Sequence, residues 1–231
     1  MFCGSQEVIV MTATDRDQAT ARRGRMLDAL SGPDSSIRLQ AALAMGTDPD
    51  VRFVEPLVAR CAVEPDFFVR DMLTWALTRH PVEVAVPLVV AELDSSRTQA
   101  CSQALHTLSK IGDRSVWPSI TAALLHDRDD EIARSAWRAA AVLVPDGDEP
   151  ALAAELVGEL GRGDKDLRRS LSRALVTLGD EAVTPVLTVP RRAADPQVRA
   201  HAMATVELLH DPDIDLAGAI DDALRITLTQ E

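Results

Sequence analysis

A short recurring pattern constrains the fold of this chain more than any other feature of its sequence. The pattern is an N-cap residue, two variable residues, an aliphatic residue and often Arg, and it begins at Asp34, Asp66, Asp129, Asp164 and Asp195. Ser95 fills the one missing slot, so successive copies lie about 30–35 residues apart. Asp and Ser cap helices well because their side-chain oxygens accept hydrogen bonds from the unpaired N–H groups of the first turn. The pattern therefore predicts six helices.

Apolar residues at helical spacing follow each cap, most clearly Leu167, Leu171, Ala174 and Leu175. We name these predicted elements the B helices. Glycine or proline signals near their ends, including Gly46, indicate where they stop. The expected ranges are 35–46, 67–79, 96–111, 130–144, 165–178 and 196–209.

A second helix fits ahead of each cap, and we name these the A helices. Their mark is a proline near the first turn followed by aliphatic residues, as at Pro56, Pro87, Pro118 and Pro185. A proline that comes late in a helix, Pro190, is expected to kink or shorten the sixth A helix. The predicted ranges are 17–30, 50–63, 83–93, 114–126, 149–161 and 181–193. A last helix at about 215–228 is expected to cap the end of the stack.

The paired helices, the A-helix prolines, the "Gly-Asp" at Gly112-Asp113 and Gly179-Asp180, and B helices such as Val69-Arg70 together resemble HEAT repeats of the short phycobilisome-lyase-like subtype. The resemblance covers about residues 16–212. It implies an all-α fold, a right-handed α-α superhelix (a HEAT-like solenoid) of about six helix pairs plus the C-terminal cap, with the B helices lining the concave wall. We expect one domain at 15–231 and a disordered extension at 1–14, in which Met11 is an alternative start.

Composition narrows the function classes. Lys and Arg number 24 against 36 Asp and Glu, a net charge of −12, which opposes general nucleic-acid binding because that needs a basic surface. No stretch approaches the ~18–20 apolar residues of a membrane span, and the first residues lack the features of a signal peptide. Three widely spaced cysteines form no disulfide framework, so a cytoplasmic location is expected.

Counting along the B helices places two arginine pairs on the groove face, Arg134/Arg138 and Arg169/Arg173, together with Asp71. The pairs lie one repeat apart, so we expect them side by side on neighbouring helices. Four clustered arginines on an acidic protein favour an anionic partner held through carboxylate or phosphate contacts. The alternative is that they form ion pairs with Asp and Glu of adjacent repeats.

Two tryptophans, Trp75 and Trp137, are predicted to flank the same groove face. They are candidate binding anchors, with packing in the gaps between repeats as the alternative. The arginines that directly follow the aliphatic position, among them Arg38 and Arg70, are expected to tie one repeat to the turn of its neighbour.

The search for catalytic chemistry yields little. The histidines show no metal-ligand spacing, and His80, His126 and His210 are expected to cap helix C-termini. Cys61 and Cys101 fall on apolar faces and are expected to be buried thiols. Neither a P-loop nor a dinucleotide or hydrolase motif occurs, and we expect no metal and no cofactor.

The sequence thus favours a non-enzymatic scaffold or adaptor that binds an acidic or phosphorylated protein segment in its concave groove. The resemblance also suggests a phycobilin-lyase-like enzyme or other cofactor chaperone. A HEAT-like DNA alkylation-repair glycosylase is a third possibility, which the net charge opposes.

Overall fold

The structure, a computed structural model, describes residues 13–211 and 213–229, and these residues form helices and turns without a β-strand. Thirteen α-helices lie within that part of the chain. In order they are α1 (Ala13–Leu30), α2 (Ser35–Thr47), α3 (Val54–Cys61), α4 (Phe67–Thr78), α5 (Val82–Ala91), α6 (Thr98–Ile111), α7 (Ala122–Leu125), α8 (Asp130–Leu143), α9 (Glu149–Leu156), α10 (Lys165–Thr177), α11 (Asp180–Leu187), α12 (Pro196–His210) and α13 (Leu216–Thr229).

The six B helices are confirmed as α2, α4, α6, α8, α10 and α12, each within two residues of its predicted ends. All five aspartates of the pattern cap their helices. At Asp34, for example, the side chain accepts hydrogen bonds from the N–H groups of Ser36 and Ile37. The predicted Ser95 cap is wrong. Helix α6 begins at Thr98, its N-cap is Arg97, and Ser95 Oγ instead accepts a 3.4 Å hydrogen bond from Arg97 N–H.

Five of the six A helices are shorter than predicted, because most of these begin or end in 3-10 turns. The first, α1, begins at Ala13 and is longer than its predicted range of 17–30. The fourth departs most: residues Arg114–Ser119 form a 3-10 segment that contains Pro118, and only the four residues of α7 are α-helical. Proline has no N–H to donate, which removes one bond of an α-helical ladder. The expected shortening at Pro190 is confirmed, since α11 ends at Leu187 and residues Pro190–Arg192 form a 3-10 turn.

Contacts between helices join elements that are close in sequence. The B helices pack in succession, α2 on α4, α4 on α6, α6 on α8, α8 on α10 and α10 on α12. The A elements pack against the B helices of the same and neighbouring pairs, as α3 does on α4, α5 and α6. Helix α13 packs on α12 at the C-terminal end, where Ile220 and Leu208 are buried. A continuous apolar core runs between the two rows of elements.

Gly46 was predicted to end α2, but the helix includes it and continues to Thr47. A Cβ atom at this position would overlap the ring of Trp75 and lie 2.9 Å from Ala76 Cα. Glycine is therefore required by the close approach of α4 to α2, and its role is in packing rather than in capping.

The arginines of the recurring pattern hold the turns that precede their helices. Arg38 Nη1 donates to the carbonyls of Gly32 and Pro33 at 3.0 and 2.8 Å, and Arg70 Nη1 donates to those of Glu64 and Pro65 at 2.9 Å each. Arg38 and Arg70 thus have a structural role, as expected, but these bonds hold the turn of their own repeat rather than that of a neighbour.

Gln99 replaces arginine in the third repeat and reaches further back along the array. Its Nε2 donates to the carbonyls of Cys61 and Glu64, at 2.9 and 2.8 Å, in the segment that joins α3 to α4. The Gln99 amide thus joins the Arg70 guanidinium as a donor to this turn, which belongs to the neighbouring repeat.

Glu64 lies at the centre of the most buried ion pair. Its carboxylate receives Arg38 Nε and Nη2 at 2.8 and 2.7 Å, Arg60 Nε at 2.7 Å, and the N–H of Asp66 at 2.9 Å. Burial opposes ionisation, but the hydrogen bonds from Arg38, Asp66 and Arg60 outweigh it and lower the pKa of Glu64 to about 2. The pair fixes the α2 end of the array to the α3–α4 turn.

Two earlier expectations concern the chain ends and the membrane. The predicted disordered extension at 1–14 lies outside the described residues, except for Ala13 and Thr14, which begin α1. Across residues 13–211 and 213–229, no helix combines the length and apolar character needed to cross a bilayer.

Candidate functional site

An open cleft of about 670 Å³ crosses three successive B helices, and we refer to it as the cleft. Helices α4, α6 and α8 supply its walls, because each presents the face that does not pack into the apolar core. Residues lining it are Phe67, Arg70, Asp71, Thr98, Gln99, Ser102, Gln103, His106, Glu131, Arg134, Ser135 and Arg138.

Helix α8 contributes the first predicted arginine pair. Arg134 forms an ion pair with Glu131, one turn earlier on the same helix, and its Nε is buried without a hydrogen-bond partner among the described residues. Arg138 Nε donates a 2.8 Å hydrogen bond to Ser170 Oγ of α10. This bond places the two arginine pairs on neighbouring helices, as predicted.

The second pair lies on α10, just beyond the residues that line the cleft. Arg169 Nη1 is 3.6 Å from Asp166 Oδ1 of its own helix. Arg173 is exposed and forms no ion pair with the described residues. Among the described residues, the two ion pairs that these four arginines form lie within single helices, and none joins an acid of an adjacent repeat.

Electrostatic repulsion acts within the four arginines Arg134, Arg138, Arg169 and Arg173, which we call the arginine cluster. Burial of the Arg138 guanidinium, followed by the positive charges of Arg134 and Arg173, lowers its pKa, and Glu131 offsets this only in part. An anion bound at this point would relieve the repulsion. The arrangement is thus suited to carboxylate or phosphate oxygens.

The opposite wall of the cleft has a different character. Asp71 of α4 is exposed. The pKa of His106 on α6 is lowered by burial and then by the charge of Lys110, and the charge of Asp71 partly raises it. Between the walls, Gln103 Nε2 donates to Thr74 Oγ1 at 2.8 Å. The cleft therefore runs from the α4 wall, which carries the acid Asp71, across neutral polar groups of α6 to the arginines of α8.

The two tryptophans have different environments. Trp75 is 38% exposed and rests against Gly46 of α2, so one side of the ring is accessible. Trp137 is fully buried, its Nε1 donates to Leu125 O at 2.8 Å, and Arg162 lies 5.8 Å from its ring centroid. The prediction of Trp137 as a groove anchor is therefore wrong, because its helix position turns into the core beneath α7.

The sequence analysis missed the aromatic end of the cleft. Phe67, which lines the cleft, and Phe68 beside it begin α4, are 65% and 73% exposed, and pack edge to face with centroids 5.6 Å apart. Two adjacent phenylalanines directly after a cap residue were the available signal, since the first turn of a helix leaves side chains of both positions near solvent.

In the third repeat, Gln99 and Gln103 of α6 line the cleft, whereas Ala100 and Ala104 of the same helix are buried. Thr98 stands where the other repeats have an aliphatic residue, so the sequence offers no apolar anchor there.

The histidines and cysteines fall outside the cleft except for His106. His80 and His210 donate from Nδ1 to the carbonyls of Ala76 and Val206, each at 2.8 Å, which confirms their roles at helix ends. His126 differs, because its two ring nitrogens contact Glu159 and Glu155 at 2.5 and 2.7 Å and hydrogen bonds to these carboxylates raise its pKa.

Both cysteines within the described residues are buried free thiols, as predicted. Burial raises the pKa of Cys61 to about 12 and that of Cys101 to about 11, so neither is a ready nucleophile. Across the described part of the chain, no cluster of three His, Cys, Asp or Glu side chains is arranged to hold a metal ion.

No protein-family model matches the chain, and no curated protein matches it. Two crystal structures of engineered proteins from the Northeast Structural Genomics Consortium are similar. The first is 20% identical, with a TM-score of 0.45, over 86% of this chain and 96% of the other. The second is 22% identical, with a TM-score of 0.43, over 92% of this chain and 64% of the other.

Proposed function

We propose that the chain is a HEAT-like solenoid, a right-handed superhelix of helix pairs, that acts as a non-enzymatic cytoplasmic adaptor. Its partner is an acidic or phosphorylated protein segment that lies in the cleft. The succession of B-helix contacts from α2 to α12 supports the solenoid, because stacked repeats touch only their neighbours. Buried thiols at Cys61 and Cys101 suit a reducing compartment.

The observation that carries this proposal is the arginine cluster at the edge of the cleft. Arg173 has no ion-pair partner among the described residues, and Arg138 donates there only to a hydroxyl. The pKa of Arg138 is lowered by burial and then by the charges of Arg134 and Arg173. On a protein of net charge −12, such a concentration of positive charge supports selective binding of an anion over general binding of polyanions.

A charge-reversal experiment tests the role of the cluster. The double variant R138E/R173E should lose at least about tenfold in affinity for an acidic or phosphoserine peptide, because a repulsive contact replaces each attractive one. The matched control is R191E/R192E, which makes the same change of net charge in the 3-10 turn before α12, away from the cleft. Fluorescence anisotropy with labelled peptides gives the affinity, and circular dichroism checks helicity.

Capture from an extract of the native cell tests the same point without choosing a peptide. Partners retained by the wild-type protein and by R191E/R192E should be absent from the R138E/R173E eluate. Equal capture by all three proteins would refute the assignment of the cluster as the binding site.

A further inference from the structure

We propose that the cleft recognises a two-part peptide: an aromatic or large aliphatic side chain that packs on Phe67 at the edge of the cleft and on Phe68 beside it, followed about five residues away by a phosphorylated or carboxylate side chain at Arg134 and Arg138. This inference rests on the proposed function and adds the second determinant and its spacing. It commits to a protein segment as the occupant because the two ends of one cleft offer complementary apolar and cationic surfaces.

The apolar end is rigid and accessible. Asp66 Oδ1 accepts the N–H groups of Phe68 and Val69 at 2.9 and 3.1 Å, which fixes the first turn of α4. Arg70 lies 6.0 Å from the Phe67 ring centroid and is itself held by two backbone carbonyls. The aromatic pair is thus preorganised, and docking an apolar side chain there orders little else.

The arginines at the cationic end are placed to bind an anion. The charges of Arg134 and Arg173 both act on Arg138, whose Nε is occupied by Ser170 while its terminal nitrogens form no hydrogen bond with the described residues. Fork-shaped guanidinium groups bind carboxylate and phosphate oxygens in pairs. Two such groups on α8 can share one phosphomonoester.

Helix α6 provides a polar floor between the two ends. Gln103 Nε2 donates to Thr74, and its side-chain Oε1 accepts no hydrogen bond from the described residues. That oxygen can receive an N–H of an extended peptide. Since neutral His106 stands one turn further along the helix, the floor adds no net charge to either end.

The spacing follows from helix packing. Phe67 lies on α4 and Arg138 on α8, two B helices apart, and packed helices are separated by about 8–10 Å. The two determinants are therefore about 16–20 Å apart. An extended peptide advances about 3.3 Å per residue, so about five residues bridge them.

Synthetic peptides test the two parts separately. The probes carry one tryptophan and one phosphoserine in a Gly/Ser chain, separated by one, five or ten residues, alongside peptides with only one of the two groups. We expect the peptide with the five-residue separation to bind at least about tenfold more tightly than the phosphoserine-only peptide. The F67S/F68S variant should lose this advantage and still bind the phosphoserine-only peptide as the wild type does.

The matched control for the aromatic variant is V189S, which removes an apolar side chain that is 78% exposed elsewhere on the surface. Circular dichroism and thermal unfolding show that each variant is folded. If tryptophan adds nothing at any spacing while R138E/R173E still abolishes phosphoserine binding, the two-part inference is wrong and the proposed function stands. If no peptide binds the wild type, both fail. Aromatic-dependent self-association in sedimentation would assign the Phe67–Phe68 surface to a second copy and overturn the inference.

Discussion

The carboxylate of Glu64 is a single group on which two helix pairs depend. Replacing it by glutamine in E64Q leaves Arg38 buried with an uncompensated charge, and we expect a loss of about 3–5 kcal/mol in the free energy of unfolding. Urea denaturation at pH 7 measures this loss. Glu207, exposed on α12, provides the control, since E207Q should change stability by no more than about 0.5 kcal/mol. An E64Q protein as stable as the control would contradict the assigned role.

His201 predicts a pH dependence of a defined sign. Its Nδ1 accepts Gly161 N–H at 3.0 Å, so Nε2 carries the proton toward Arg168 O and Ser172 Oγ, each 3.0 Å away. Burial lowers its pKa from 6.5 to about 4. The neutral ring therefore contributes stability that is complete above about pH 6.5 and is lost as the pH falls toward 4.

Between pH 7.5 and 5 this single group should cost about 2 kcal/mol of unfolding free energy. Denaturation curves at the two pH values, for the wild type and for H201N, isolate the contribution. The variant should show a smaller loss by about that amount, and an identical pH slope in both proteins would exclude His201 as the cause. His126 titrates with the opposite sign, because its raised pKa makes its contribution disappear as the pH rises.

At the scale of helices, two glycines test whether side-chain packing or helix propensity controls the stability effect of adding a Cβ atom. In α2, a Cβ at Gly46 would meet Trp75 and Ala76, whereas one at Gly24 in α1 would meet nothing within 4 Å. We expect G46A to destabilise the protein by about 1–3 kcal/mol through overpacking. G24A should stabilise it by up to about 1 kcal/mol, because alanine is the better helix former. Chemical denaturation of both variants measures these changes in the free energy of unfolding. Stabilisation by G46A would show that α2 and α4 can separate at little cost.

Two of the N-cap aspartates differ in how many helices they contact. Asp195 serves only the first turn of α12, but Asp129 also accepts Thr98 Oγ1 of α6 at 2.6 Å. D195A should therefore cost about 1 kcal/mol, while D129A should cost more and should lose the excess in a T98A background. A double-mutant cycle measures that difference, and additive losses would rule out the coupling.

Five of the six B helices were predictable from two signals that agree, an aspartate cap and an apolar stripe. Helix α6 lacks such a cap, since its N-cap is Arg97. The A elements were predicted less well because a proline marks their beginning but nothing comparable marks their ends, and i→i+3 turns replaced the last α-helical residues. At the site, Arg134 and Arg138 were found by counting from Ile132. The buried position of Trp137 was not, because it depends on the shape of the short element α7.

For the whole molecule, α13 closes the C-terminal end of the array. Ile220 and Ala223 of α13 are buried, and Leu208 of α12 is covered with them. Removing residues 213–231 should expose that surface, lower the unfolding midpoint and increase binding of a hydrophobic dye. A chain shortened only by residues 230–231 is the control. Unchanged stability after the longer deletion would show that α13 does not stabilise α12.

The sequential order of the contacts also bears on how the chain reaches its native state. Each helix finds its main partners among the next two or three elements, so only short loops must close. Chains with such local contacts fold fast, in microseconds to milliseconds. A nascent polypeptide leaving the ribosome could therefore bury Leu73 and Leu77 against α2 before the second half of the protein has been translated.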